Sequence, residues 1–241
     1  MKYKLFTSIT FLSLIFLVNV VYAQDDQSDR SGLSYGARIG ATVSNFSNEQ
    51  PHTSAKLGLL IGGVVEYGFS DILSVQAEPS YMQQGGRFVR FSDDTRFGSD
   101  GSLFDLYTTN SDVTLHTLDL PILAKYWLPK FGDIQPNIVL GPAISYTLGA
   151  SNVYQTTYYY NQTFTTANAY REERSQYEPF QMGITGGFGG EVSLGTKRLL
   201  IDFRYRYGVT PVKKGYSYID IFTVQGDLRT HSAYVTIGIG L

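Results

Sequence analysis

A chain of 241 residues with net charge −2 and an isoelectric point near 5.9 lacks the basic face that nucleic acid demands, so nucleic acid is excluded as a partner. It has no cysteine, which removes disulfide frameworks, thiolate metal sites and a lipidated cysteine. Nineteen Tyr, 15 Phe and 25 Gly beside 17% charged residues, at a mean hydropathy of −0.10, exclude a helical membrane protein and suit a membrane barrel, where only every second strand residue meets lipid.

The chain opens with Lys2 and Lys4, then an uncharged apolar run over residues 5–21, then Val21-Tyr22-Ala23. A positive start, an apolar stretch too short to span a bilayer and small residues before the cut predict a signal peptide over residues 1–23. Residues 24–33 read as a short polar N-terminal segment, and one domain is expected from residue 34 to 241.

From there the hydrophobic period is two, the signature of strands with one apolar and one polar face. Residues 35–43 set Tyr35, Ala37, Ile39, Ala41 and Val43 against Arg38, Gly40 and Thr42. Residues 57–69 are apolar at odd positions with Glu66 opposite, and in 73–81 Leu73, Val75 and Ala77 oppose Ser74, Gln76 and Glu78. The phase moves to even positions in 118–126, with Asp119 and Lys125 opposite, in 138–148, and in 180–194, which puts Gln181, Thr185 and Glu191 on the polar face. Residues 199–209 alternate most strictly, Leu199, Ile201, Phe203, Tyr205, Tyr207 and Val209 against Asp202, Arg204 and Arg206. Residues 233–241 repeat the pattern to the last residue.

Eight strands are thus expected, each of roughly the 9–11 residues that cross hydrocarbon at a ~45° tilt. Links at 70–71, 129–134 and 195–198 are tight, whereas those near 46–55, 85–112, 149–177 and 211–229 are long. Short turns at one end and long loops at the other are the organisation of outer-membrane barrels. The expected fold is therefore all-β: an eight-stranded antiparallel up-and-down transmembrane β-barrel, exported to the outer membrane, lipid its first partner, and a monomer. A soluble lipocalin-like barrel would carry the same strands with apolar faces inward.

The polar faces collect Arg38, Lys125, Arg204 and Arg206 against Glu66, Glu78, Asp119, Glu191 and Asp202. Eight strands enclose a lumen just wide enough for side chains to fill, and mixed charges confined there pair because lone buried ions are too costly. These nine residues are expected to form a salt-bridged interior network, and glycines at 40, 58, 62, 68, 141, 183, 187, 189, 238 and 240 to make room for it. A conducting pore would ask for a wider barrel or a lumen of one sign.

Several of these segments resemble the Bacteroidota outer-membrane β-barrel proteins labelled PorT-like or porin-family. The likeness rests on Leu118-Asp119-Leu120-Pro121-Ile122-Leu123-Ala124-Lys125-Tyr126, on Pro136-Asn137-Ile138-Val139-Leu140-Gly141-Pro142, and on Gly186-Gly187-Phe188-Gly189-Gly190-Glu191 followed by Asp202-Phe203-Arg204-Tyr205-Arg206-Tyr207-Gly208. It covers essentially the whole mature chain. The resemblance implies an outer-membrane barrel without assigned activity for most members, and protein secretion and gliding for the namesake.

Outer-membrane barrels also include hydrolases and acyltransferases, so the three histidines matter. His52 lies in the first long loop, while His116, with Ser111 and Asp112 nearby, and His231, beside Ser232, fall at the outer rim. Adjacent strand residues face opposite ways, and no third partner sits at a fixed offset, so no catalytic residue is assigned. Asp93, Asp94, Asp100 and Asp105 lack calcium-loop spacing, so neither metal nor cofactor is expected. In the third long loop Tyr154, Tyr158, Tyr159, Tyr160 and Tyr170, with Phe164 and Tyr177, form a candidate extracellular surface for a protein or glycan. The alternative is a hairpin continuing the strands past the bilayer. Arg171-Glu172-Glu173-Arg174 reads as a solvated, self-compensating face.

Overall fold

The computed structural model describes residues 31–47, 53–91, 95–97, 103–160, 163–194, 197–213, 217–219, 222–224 and 227–241. The expected signal peptide and His52 lie outside them.

All eight antiparallel strands expected from the alternation occur: β1 Gly32–Ser47, β2 Lys56–Gly68, β3 in two pieces, Leu73–Ala77 and Ser80–Phe91, β4 Leu103–Trp127, β5 Ile134–Tyr160, β6 Phe180–Leu194, β7 Lys197–Gly208 and β8 Arg229–Gly240. Pro79, which has no N–H to give a ladder, separates the two pieces of β3, yet both keep one register against β4, from Leu73↔Tyr126 to Ser80↔Asp119 and on to Phe91↔Thr108. Each strand pairs with its sequence neighbours, and β1 pairs with β8 from Gly36↔Gly240 to Ser47↔Arg229. That last pairing closes the cylinder, so no edge is left inside the bilayer, where no water could satisfy one.

The direction of each face is set by which solvent it meets. Ile39, Ile61, Leu120, Leu140, Ile184, Ile201 and Ile237 point outward with 44–62% of their surface exposed. An apolar girdle of that extent is untenable in water and matches acyl chains. Aromatic rings gather at its two ends: Tyr67 against Phe69, centroids 5.0 Å apart, towards the short turns, and Tyr146 against Phe180, 5.1 Å, towards the long connections. Such belts mark the two interfaces of an outer-membrane barrel. The outward apolar faces rule out the lipocalin-like arrangement.

Two expected long links are mostly strand, 85–112 against expectation and 149–177 by the alternative of a hairpin continuing past the bilayer: β4 has 25 residues and β5 has 27, so they run about 80–90 Å at ~3.3 Å per residue, far more than hydrocarbon requires. Their pairing continues to Asp105↔Tyr159, and a further outer strand, Thr163–Glu172, folds back on β5 from Ser151↔Glu172 to Tyr160↔Thr163. The polarity of β4 inverts where lipid ends. Leu118, Leu120 and Ile122 face outward in the bilayer, whereas Asp112, Thr114 and His116 occupy the outward face above it, with Val113 and Leu115 turned in and fully buried.

Candidate functional site

The interior is the first candidate, and β7 supplies its axis because its even residues all turn inward. Asp202, Arg204 and Arg206 are at most 7% exposed. Near the short turns, Lys125 Nζ donates to Glu66 Oε2 at 3.0 Å and to Glu191 Oε1 at 2.6 Å. Its ammonium also stands 3.9 Å over the Trp127 ring, whose indole N–H donates to Ser74 Oγ at 3.1 Å. Ser74 in turn donates to Glu66 Oε1 at 2.8 Å. At mid-height Arg38 Nη2 lies 2.7 Å from Glu78 Oε2, neither side chain having any exposure. Arg204 Nη2 lies 3.6 Å from Glu78 and 2.9 Å from Asp202, while Arg206 pairs with Asp119, which also accepts from Ser145 Oγ. The structure thus brings all nine sequence-selected charges into the lumen and pairs them.

Inward glycines allow this. A Cβ at Gly187 would stand 2.9 Å from both Cα and Cδ of Arg204, and one at Gly189 would overlap the Asp202 carboxylate. Arg204 therefore lies along the wall of its neighbour strand, β6.

One member was missed. Arg198 donates to Glu191 Oε2 at 3.1 Å with 29% of its side chain exposed, bringing the interior charges to five of each sign. Sequence reasoning placed Arg198 in a tight link, although extending the even, inward phase of β7 by two steps from Asp202 reaches it through Leu200. It borders a vestibule of about 500 Å³ at the short-turn mouth, lined also by Glu66, Trp127, Lys130 and Gln135.

Above the charges the lumen is closed by an apolar layer that the sequence reading did not contain: Phe46, Phe88, Val113, Leu115, Ala150, Tyr177, Val212 and Leu228, all at most 4% exposed. Phe46 and Phe88 stack with centroids 5.5 Å apart. Tyr177, Val212 and Leu228 enter from the connections, held by backbone bonds from Val212 N–H to Leu228 O at 2.7 Å and from Glu178 N–H to Val212 O at 2.8 Å. Tyr177 was expected on the exposed loop. Instead burial foremost, aided by the Glu173 charge, holds its phenol well above the usual pKa.

The outer surface is the second candidate, and its tyrosines divide. Tyr154 is only 4% exposed and donates to Glu173 Oε1 at 2.7 Å, so it braces the hairpin rather than offering itself. Tyr170 and Phe164 are 63% and 58% exposed. For Tyr158, Tyr159 and Tyr160 only the backbone is described, paired with Thr165, Phe164 and Thr163. The charged run is no uniform solvated face. Arg171 and Glu172 are exposed, but Glu173 is buried beneath Tyr154, and Arg174 donates to the Tyr177 carbonyl at 3.2 Å.

Among the described residues no triad is assembled at the rim. His116 Nδ1 sits 2.6 Å from the Tyr81 hydroxyl, while Asp112 accepts two bonds from Arg87 at 2.7 and 3.0 Å. Ser111 faces inward and donates to Asn152 Oδ1 at 2.8 Å. His231 lies 4.7 Å from the Tyr207 ring, and Ser232 donates inward to Gln84 at 3.2 Å. Of the loop aspartates only Asp105 falls in the described residues, by its backbone. Among described residues no three His, Asp or Glu side chains converge as a metal site would require.

A model described as the outer membrane protein beta-barrel domain matches residues 22–214. No curated protein matches the chain. Among solved structures it is similar to Neisserial surface protein A at 13% identity and a TM-score of 0.43, covering 88% of this chain and 99% of that one. Likewise it is similar to OprG of Pseudomonas aeruginosa at 15% and 0.42, covering 90% and 98%, and to the attachment invasion locus protein Ail of Yersinia pestis at 11% and 0.38, covering 86% and 98%. With the family model spanning well over half its length, and with a closed cylinder girdled by lipid-facing side chains, the chain belongs to the outer membrane beta-barrel domain family and resides in the cell outer membrane.

Proposed function

We propose that this is a non-enzymatic barrel that conducts no solute and presents its extracellular sheet to a protein or glycan outside the cell. One observation carries the reading: β4 and β5 run on as paired strands far beyond the bilayer, where Thr163–Glu172 folds back on β5 as a hairpin, after the lumen beneath them has been filled by ion pairs and capped by apolar side chains. Strand that long is unnecessary for spanning, and loops on a rigid scaffold are where binding residues concentrate. The test compares the full chain in vesicles with a version whose residues 153–170 are replaced by a tight turn, both checked for folding by heat-shifted gel mobility. Retention on immobilised extracellular proteins or glycans should disappear with the hairpin. Equal retention by both forms, or stepwise conductance of the full chain in planar bilayers, contradicts the proposal.

The runner-up is a small channel entered from the vestibule beside Arg198 and Glu66. It requires the Lys125 and Arg38 pairs to part, so conductance that rises on Glu78→Ala replacement would favour it. Membership of the PorT-like branch rests on the resemblance of residues 118–126, 136–142, 186–191 and 202–208. A secretion defect in a deletion strain, complemented by the chain, is the result that branch predicts.

A further inference from the structure

The outer strand Thr163–Glu172 differs from every barrel strand in being exposed along its whole length, on both faces. On one side it is fully paired to β5, from Ser151↔Glu172 to Tyr160↔Thr163. On its far side no described strand pairs with it. Among the described residues the extracellular pair Ser217–Ile219 with Phe222–Val224 pairs only with itself, and Thr95–Phe97 pairs only with the outer end of β4. Every second residue across Thr165–Tyr170 therefore directs backbone N–H and C=O away from the sheet, because strand geometry alternates them.

Proteins that must keep such an edge unoccupied blunt it with lysines, prolines, bulges or very short strands. Here residues 165–170, Thr-Thr-Ala-Asn-Ala-Tyr, contain no charge and no proline, the pairing to β5 shows no register shift, and the charged residues of the strand, Arg171 and Glu172, stand only at its end. Thr165, Thr166 and Tyr170 are residue types that cross-strand pairs favour.

We propose that this edge accepts an extended segment of a second polypeptide as an added strand, which names the partner class for the binding surface of the previous section and rests on that reading. Backbone groups in a row are satisfied by another backbone, not by a sugar or a lipid headgroup. With no charge over residues 163–170, the segment recognised is uncharged and rich in β-branched or aromatic residues. A second copy in the same membrane is excluded by symmetry. Two upright barrels are related by an axis along the membrane normal, and strands tilted ~35–45° would then cross at roughly 70–90° rather than lie antiparallel.

The probe is a synthetic peptide with the sequence of residues 151–160, the strand this edge's opposite side already accepts, measured by fluorescence anisotropy against the full chain in lipid nanodiscs. Two N-methylated versions carry methyl groups on alternate residues, one set on each backbone edge of the peptide. Added-strand pairing uses one edge only, so one version should weaken at least about tenfold and the other change less than about twofold. Affinity should also change little between low and high salt, because no ion pair contributes. Equal effects of both methylations, or no binding of the unmethylated peptide, overturns the proposal. If the hairpin still retains a protein or glycan while the peptides fail, the previous section's reading survives and this one does not. Clustering of empty vesicle-borne protein would instead indicate pairing between facing membranes, and would also contradict it.

Discussion

Removing the Glu78 carboxylate should expose how the lumen is held. Arg38 and Glu78 meet at 2.7 Å with no solvent exposure on either side chain, and the remaining guanidinium nitrogens of Arg38 have no hydrogen-bond partner among the described residues. Arg204, the second cation at this carboxylate, keeps Asp202 at 2.9 Å. Glu78→Ala therefore orphans one buried guanidinium and leaves the other paired. Breaking a buried pair by deleting one partner costs about 3–5 kcal/mol, most of it the stranded charge, whereas replacing both by apolar groups is close to neutral. Glu78→Ala should lose that amount, and Arg38→Met combined with Glu78→Met should recover most of it. Reversible urea unfolding in phospholipid vesicles, followed by tryptophan fluorescence of Trp127, gives the cycle. A single-variant loss below about 1 kcal/mol would mean that water reaches Arg38 and that the lumen is not filled.

Other sites give contrasting expectations. The Arg87–Asp112 pair is bidentate but half exposed, so Arg87→Ala should change stability by less than about 1 kcal/mol in the same assay. Gly187→Ala, which drives a Cβ onto the Phe203 carbonyl and the Arg204 stem, should cost about 1–3 kcal/mol. The outward Gly186→Ala, whose nearest neighbour is Leu140 Cδ1 at 3.2 Å, should cost far less. Ile237→Arg on the lipid face should cost about 2–4 kcal/mol and Tyr170→Arg above the bilayer almost nothing. Tyr177 has a raised pKa from burial, so its contribution is fully present below the ordinary tyrosine pKa near 10 and is lost as pH rises above it. Tyr177→Phe should thus reduce the alkaline loss of stability, read from unfolding at pH 8 against pH 11.

Where the period of two was followed, fold and interior were legible together, because one alternation decides both which side chains meet lipid and which charges meet each other. The reading failed where it stopped too soon. Phe46, Phe88, Val113 and Leu115 continue the inward phase of their strands, but their outward neighbours Asn45, Arg87, Asp112 and Thr114 are polar, so the contrast inverts and resembles loop. The inversion reflects water in place of lipid outside, not an end of the strand. Tyr154 and Glu173 could not be placed from sequence because their burial depends on the fold-back of Thr163–Glu172 onto β5, a long-range contact that no local pattern encodes.

The absence of native cysteine makes the central claim directly measurable. Single cysteines placed along β8, one at a time, carry a nitroxide label in vesicles, and collision with membrane-dissolved oxygen is recorded at each. An apolar-out, filled cylinder predicts high oxygen collision at Val235, Ile237 and Ile239 and low collision with oxygen and with a water-soluble nickel chelate at Ser232, Thr236 and Gly238. Reversed phase, or chelate access at the inward positions, would contradict it.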